Sequence, residues 1–296
     1  MSARRLRIAT AAYDVGYFAG WPDYARKLDA WVSRASDNGA DLLVFPEYAA
    51  MELVSLFGHD IRQSLSRQLA ALQELATPYA DLHARLAREH GVYIVAGSFP
   101  WAVAGNRYHN RACLFTPDGA RAHQDKIQMT RFENEQWLIN GGSTLNVFDT
   151  RLGKLAINIC YDAEFPLFAR QQVAAGAELI VVPSCTDTQA GFERVRIGCR
   201  ARALENQVFV AQSSLVGDAA WSPAVDVNVG AAGVFAPVDH GFPPDGIIEP
   251  GVMNVPQWTY ANLDLDELAH VRASGQVFNY RDWDGQLGVN VATLAL

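Results

Sequence analysis

Three side chains in this sequence hold between them the chemistry of amide cleavage: a carboxylate, Glu47, in VFPEY; an amine, Lys126, in HQDKIQMTRFE; and a thiol, Cys160, in LAINICYDAEFP. A carboxylate can take and return a proton, an ammonium can stabilise a developing oxyanion, and a thiol can attack a carbonyl carbon. Leu155 to Ile159 reads as a buried strand that delivers Cys160 to its end, and the chain then turns through Tyr161 and Asp162 toward a helix beginning near Phe165 and Pro166. Backbone N–H groups at such a place can lower a thiol's pKa or bind an oxyanion. Singly, each residue has an ordinary explanation: a free Cys among apolar residues packs as a small hydrophobe, a Glu is a surface carboxylate and a lone Lys is solvated. Glu47 directly after an apolar strand and Pro46 is harder to explain by solvation. Lys126 draws its interest from the other two. Glu133 and Glu135 follow it closely enough to point back toward it, although a solvated helical face explains them equally well.

The elements that must position these residues follow from hydrophobic periodicity. Arg7 to Tyr13 reads as a first strand, Pro22 to Asn38 as a helix stopped by Gly39, and Asp41 to Pro46 as a second strand, which together make a βα unit of a parallel sheet. Thr77-Pro78 divides a Leu- and Ala-rich stretch into two expected helices, roughly 60–75 and 78–90, because Thr caps a helix and Pro suits its first turn. Val92 to Gly97 is a third strand; Arg111 to Phe115 and Ala120 to Gln124 flank the hairpin sequence Thr116-Pro-Asp-Gly, so the sheet becomes mixed. A second hairpin, Leu145 to Phe148 with Leu155 to Ile159, precedes a helix Phe165 to Ala175 and the buried strand Glu178 to Pro183. An arginine-rich helix, Glu193 to Leu204, with Arg194, Arg196, Arg200 and Arg202, is by default a solvated or ion-paired face. After a strand Gln207 to Ser213, residues 217–256 are mostly loops, with short strands near Gly233 to Ala236 and Ile247-Ile248. A last strand, Thr259 to Leu263, leads to a short helix capped by Asp264, and the tail from about residue 273 is extended and anchored by Phe278, Tyr280 and Trp283. The expected class is α/β, with one domain over 1–296 and neither repeat nor linker.

Bulk properties narrow the function. The chain has 296 residues, 50% hydrophobic and 19% charged, and a formal net charge of −8. The largest basic cluster is Arg4-Arg5, so nucleic acid and anionic membranes are poor partners, and a small neutral or cationic ligand suits the chain better. The opening residues Met1 to Ile8 lack the apolar core of a signal peptide, and no run approaches the ~20 apolar residues of a membrane span, so the expected location is cytoplasmic. Cys113, Cys160, Cys185 and Cys199 lack CxxC spacing, which predicts reduced thiols rather than a disulfide framework or a zinc site. The seven histidines show no HExxH spacing, which argues against a metallohydrolase, and there is no GxSxG, P-loop or GxGxxG for a serine hydrolase or a nucleotide site.

The ordered set FPEY at Glu47, DKIQMTRFE at Lys126 and CYDAEFP at Cys160 resembles the nitrilase, or carbon–nitrogen hydrolase, superfamily. VYIVAGS, Tyr108-His-Asn-Arg-Ala, VVPS at 181–184 and RALEN at 202–206 extend the resemblance to about residue 215. It implies a four-layer α-β-β-α sandwich with mixed sheets, and a homodimer formed through helices beside the cysteine and the C-terminal tail. It also implies a Glu–Lys–Cys triad and a second glutamate orienting the lysine, Glu133 or alternatively Glu135. Tyr161-Asp162 replaces the Trp-Glu usual in nitrile-cleaving members, which places the chain nearer the amidase branches. The implied activity is hydrolysis of a small carboxamide through a thioester on Cys160, without metal or organic cofactor; nitrile and N-carbamoyl substrates are the alternatives, and a catalytically silent binding protein would lack part of the triad. Tyr161 N–H joins Lys126 at the oxyanion, Tyr48, Tyr161, Cys185 and Thr186 are the expected substrate contacts, and residues 186–192 and 217–256 are the expected pocket walls.

Overall fold

Alternation along the first strands sorts their side chains onto two faces, as the period of two in a strand requires. The computed structural model describes residues 4–105 and 107–295; the first three residues of the opening stretch and Leu296 of the tail lie outside it. In β1 (Arg5–Asp14), Leu6 and Ile8 enter one hydrophobic cluster while Ala9, Ala11 and Tyr13 enter another. After α1 (Trp21–Asp37), β2 (Leu42–Val44) repeats the pattern, with Leu42 and Val44 on one side and Leu43 on the other. The chain continues through α2 (His59–Arg62), α3 (Leu65–His90), β3 (Tyr93–Val103), β4 (Arg107–Phe115), β5 (Arg121–Asp125), β6 (Ile139–Asn140), β7 (Val147–Thr150), β8 (Gly153–Ile157), α4 (Pro166–Ala174), β9 (Leu179–Ser184), α5 (Gln189–Asn206), β10 (Phe209–Asp218), β11 (Val227–Asn228), β12 (Gly233–Phe235), β13 (Ile247–Pro250), β14 (Gln257–Asp264) and α6 (Leu265–Ser274).

Pairing gives one sheet in the order β5-β4-β3-β2-β1-β14 and another in the order β7-β8-β9-β10-β12-β13. They join where the end of β1 pairs in parallel with β10, Ala12 opposite Ser214. Both sheets mix parallel and antiparallel neighbours. Leu6, Ile8, Leu42 and Val44 pack in one cluster with Ile157, Val181, Phe209 and Ala211 of the second sheet. The opposite face of the first sheet packs on α1 and α3, and α4 and α5 cover the second. The result is the four-layer α-β-β-α sandwich with mixed sheets expected from the resemblance.

Several element boundaries differ from the sequence reading: β3 runs on to Val103 rather than ending at Gly97, β4 begins at Arg107 rather than Arg111, and two helices differ as well. Residues 65–90 form a single helix with Pro78 inside it, not two helices divided at Thr77. Pro removes one backbone donor, but Leu72, Ala76, Tyr79, Ala80, Leu82, His83 and Leu86 all lie on the buried stripe, and packing that stripe on the sheet keeps the helix continuous. The second helix is α5, which starts at Gln189 rather than Glu193 because Thr188 caps it, accepting the Gly191 N–H through its side chain. In the tail, Phe278, Tyr280 and Trp283 are half-buried, with the Arg170 and Arg272 guanidiniums over the Tyr280 ring.

Candidate active site

Glu47, Lys126, Glu133 and Cys160 come from four separate segments and meet at one end of the sandwich, at the base of a cavity of about 410 Å³. Glu47 follows β2 by way of Phe45 and Pro46. Its place depends on Gly97 in β3, which adopts φ +73°; a Cβ there would stand 2.0 Å from the Pro46 carbonyl oxygen, so only glycine lets the two strands close at this point. Tyr48 takes a left-handed conformation, φ 57°, and its N–H donates to Ser98 Oγ at 2.9 Å. Lys126 follows β5, its N–H bonded to the Asn110 carbonyl at 2.8 Å. Cys160 is not the last residue of a strand: β8 ends at Ile157, and Cys160 opens a 3₁₀ turn, Cys160–Glu164, in a left-handed conformation with φ 50°. That conformation costs a non-glycine residue roughly 1–2 kcal/mol.

The charges form one buried network. Lys126 Nζ donates to Glu47 Oε1 at 2.8 Å and to Glu133 Oε2 at 2.6 Å, with Glu47 and Lys126 each 1% exposed and Glu133 2%. Asn110 Nδ2 donates to Glu47 Oε1 at 2.7 Å and to Glu133 Oε1 at 3.1 Å. Glu47 Oε2 accepts the Cys185 N–H at 3.0 Å. Glu133 further accepts the Tyr48 hydroxyl at 2.6 Å and, at 2.9 Å each, the Thr130 N–H and hydroxyl. Of the two glutamates left open by the sequence, Glu133 therefore meets the lysine, whereas Glu135 is exposed and paired with Arg131 at 2.9 Å. The segment from Glu133 to Trp137 forms one π-helical turn, a geometry that often marks functional sites.

Environment tunes these groups differently. Burial pushes the Glu47 carboxyl above the usual carboxylate range, only partly opposed by Lys126. Burial also acts upward on Glu133, but Lys126 and the Tyr48 and Thr130 bonds outweigh it and leave that carboxyl below its ordinary value. Lys126 is held well above the usual amine range, because Glu133 and Glu47 overcome the desolvation that opposes its charge. The Cys160 thiol, which donates to the Cys185 carbonyl at 3.6 Å, is raised rather than lowered: burial disfavours the thiolate first, the Glu47 charge adds to this, and Lys126 offsets only part. The sequence reading allowed backbone amides there either to lower the thiol or to bind an oxyanion, and the first of these is not what the site does. A thiol held protonated needs a base to become a nucleophile, and Glu47 is the carboxylate within hydrogen-bond reach of it.

All four expected substrate contacts, Tyr48, Tyr161, Cys185 and Thr186, line the cavity. Tyr48 presents its ring, since its hydroxyl is bound to Glu133, and the Cys185 thiol is turned to Asn228 Oδ1 at 3.2 Å. Of the expected walls, only Thr186, Asp187 and Gly191 from the first stretch and residues 223–228 from the second reach the cavity. The sequence reading missed Phe132 and Trp137, which form an aromatic wall with Tyr48, and the Arg194–Glu164 pair at 3.5 Å near the mouth. It also gave no role to Asn110, although Tyr108-His-Asn-Arg-Ala was among the stretches that carried the resemblance.

The profile of the family described as Carbon-nitrogen hydrolase matches residues 7–250, and the chain belongs to that family. It is 34% identical over 281 residues to a probable hydrolase, YhcX, of Bacillus subtilis, covering 95% of this chain but 54% of that protein, so it spans about half the length of that relative. It is 30% identical over 259 residues to an omega-amidase of Xenopus laevis, covering 84% of this chain and 86% of the other. An amidase of the nitrilase superfamily from Nesterenkonia sp. AN1 superposes with a TM-score of 0.69 at 25% identity, covering 94% of this chain and 97% of that one. In a structure of a mutant of that amidase the acetamide moiety of fluoroacetamide is covalently added at the active-site cysteine.

Proposed function

We propose that the chain is an amidase-type carbon–nitrogen hydrolase that cleaves a small carboxamide through a thioester on Cys160. The observation that carries this reading is the Lys126 ammonium held between two buried carboxylates, Glu47 at 2.8 Å and Glu133 at 2.6 Å, under the cavity that Cys160 lines. In this mechanism Glu47 takes the thiol proton as sulfur attacks the amide carbon, and the Lys126 ammonium and the Tyr161 N–H stabilise the oxyanion. Glu47 then gives its proton to the departing amine, and the same carboxylate activates the water that hydrolyses the thioester. Glu133 orients Lys126. A carboxyl raised by burial suits a group that must both accept and return a proton near neutral pH. The chemistry calls for no cofactor, and among the described residues no group of three His, Cys, Asp or Glu is arranged to hold a metal.

Amides rather than nitriles are the proposed substrates. Amide cleavage expels an amine that Glu47 can protonate, whereas a nitrile retains its nitrogen through a thioimidate and needs a second proton delivery. The named activities of the omega-amidase and of the Nesterenkonia amidase support this reading. Ammonia release from matched amides and nitriles of the same acyl chain tests it: faster turnover of the amide is expected, and faster turnover of the nitrile across several chain lengths overturns it.

The proposed assembly is a homodimer. Leu167 on α4 and Ile197 and Leu204 on α5 are exposed apolar side chains beside the Cys160 turn, and Leu287, Val289, Val291 and Leu294 of the tail are exposed as well. A reducing, cytoplasmic setting is supported by four free cysteines, and cell fractionation checks it. Among the described residues no helix is long and apolar enough to cross a membrane.

A further inference from the structure

The carboxylate two residues beyond Cys160 has no part in the mechanism above, yet it is buried as deeply as the groups that do. Asp162 is 1% exposed, and both of its oxygens are taken up by backbone amides. Oδ1 accepts the Gln128 N–H at 2.8 Å, Oδ2 accepts the Ile159 N–H at 3.3 Å, and the Ile127 N–H stands 3.2 Å from both. These amides belong to two different segments of the site: Ile127 and Gln128 directly follow Lys126, and Ile159 directly precedes Cys160.

Each segment is otherwise anchored to its own surroundings. The backbone of Lys126 is bonded through its N–H to the Asn110 carbonyl and through its carbonyl to the Gly142 N–H, both at 2.8 Å. The Cys160 turn is fastened to α5, where Arg202 Nη1 donates to the Ala163 carbonyl at 3.3 Å. Gly198 allows that approach, because a Cβ there would stand 2.8 Å from the Ala163 oxygen. Asp162 is a side chain that spans the two segments.

We propose that Asp162 is a positioning residue that sets the separation between the Lys126 ammonium and the Cys160 sulfur, by pinning the amides after the lysine and before the cysteine to one carboxylate. The proposal rests on the reading of Glu47, Lys126 and Cys160 as the catalytic groups. An ionised carboxylate suits the task because both oxygens accept, whereas an amide in the same place would turn an NH₂ donor toward at least one N–H. Burial drives the carboxyl up to about 7, against the pull of its bonds from Gln128, Ile127 and Ile159 and of the Lys126 charge, so the ionised form that accepts these amides gains over the acid as the pH rises through about 7.

The test compares Asp162→Asn with Tyr13→Phe, which removes a different buried hydrogen bond, that from Tyr13 to Glu52 at 2.5 Å, outside the site. Thermal stability, kcat and KM are measured on the folded proteins, with Cys160→Ala alongside. A displacement on the order of 1 Å in a catalytic constellation costs about 100-fold. Asp162→Asn is therefore expected to lower kcat by about 10- to 100-fold with KM within about threefold of wild type, while Tyr13→Phe loses thermal stability and keeps its kcat. Unchanged kcat in Asp162→Asn, or a rise in KM alone, with Cys160→Ala inactive, overturns the positioning role. Turnover retained in Cys160→Ala overturns the catalytic reading beneath it instead. Should Asp162→Asn not fold, Asp162→Glu keeps the charge and both acceptors on a longer arm and has the same expected loss; a wild-type kcat there overturns the proposal equally.

Discussion

Lys126 is the residue on which the others converge, and its removal has two separable consequences. Breaking a buried ion pair by deleting one partner leaves uncompensated charge and costs about 3–5 kcal/mol, and here two carboxylates 1% and 2% exposed would face each other. Removing an oxyanion donor costs about 10²–10³ in rate. Lys126→Ala is thus expected to unfold at lower temperature and, where folded by circular dichroism, to lose at least about 100-fold in kcat; activity within about tenfold of wild type removes the lysine from the mechanism. Glu47, Lys126 and Cys160 could be picked out in the sequence because Glu47 and Cys160 each follow an apolar run, and Lys126, after a polar hairpin strand, falls in order between them. Glu133 could be narrowed only to itself or Glu135, since two glutamates two residues apart differ in direction through the local backbone, and the π-helical turn that aims one inward has no signature in residue type. Asn110, bonded to both carboxylates, was invisible for a related reason: an Asn in a strand signals nothing until the strands across from it are placed.

Among the elements, α3 shows how packing overrides a local rule. Pro78 with a preceding Thr is a sound start signal, and it failed because the buried stripe on both sides of it is continuous against the first sheet. That stripe carries His83, whose ring stacks at 5.8 Å on Phe115 and lies 4.3 Å from Tyr79. Burial lowers its pKa to about 4 from an ordinary 6.5, so the folded state keeps it neutral while the unfolded chain takes up a proton. The associated stability is fully present above about pH 6.5 and is lost as the pH falls toward about 4, by roughly 3 kcal/mol at most. His83→Phe keeps a ring in place and removes the titration, so its melting temperature is expected to fall less between pH 7 and pH 5 than that of wild type. Equal slopes would show that His83 does not carry this dependence. The apolar centres of the main strands, by contrast, were read where they lie, because alternation and apolar runs are local signals, whereas the polar extensions of β3 and β4 and the pairing across the junction of β1 and β10 were not readable from any strand alone.

For the molecule as a whole, the sandwich brings to one end segments that lie between residue 47 and residue 228 in the chain, and the loops that close the cavity are the least patterned part of the sequence. That is why the reaction class could be read before the structure and the pocket walls only in part: Thr186, Asp187, Gly191 and residues 223–228 lie in the expected stretches, whereas Phe132 and Trp137 do not. The same layer that holds the Cys160 turn presents Leu167, Ile197 and Leu204 to solvent. With Ile197→Asp and Leu204→Asp combined, sedimentation is expected to shift from dimer to monomer; a wild-type monomer at all concentrations contradicts the proposed assembly. The central claim is that a carboxamide leaves its acyl group on Cys160. Its most direct test is peptide-mapped mass analysis of acid-quenched enzyme after incubation with a panel of carboxamides. The account predicts an adduct of the acyl mass on the peptide containing Cys160 that decays as acid is released, and ammonia release with no such adduct, or with the adduct on Cys185, would contradict it.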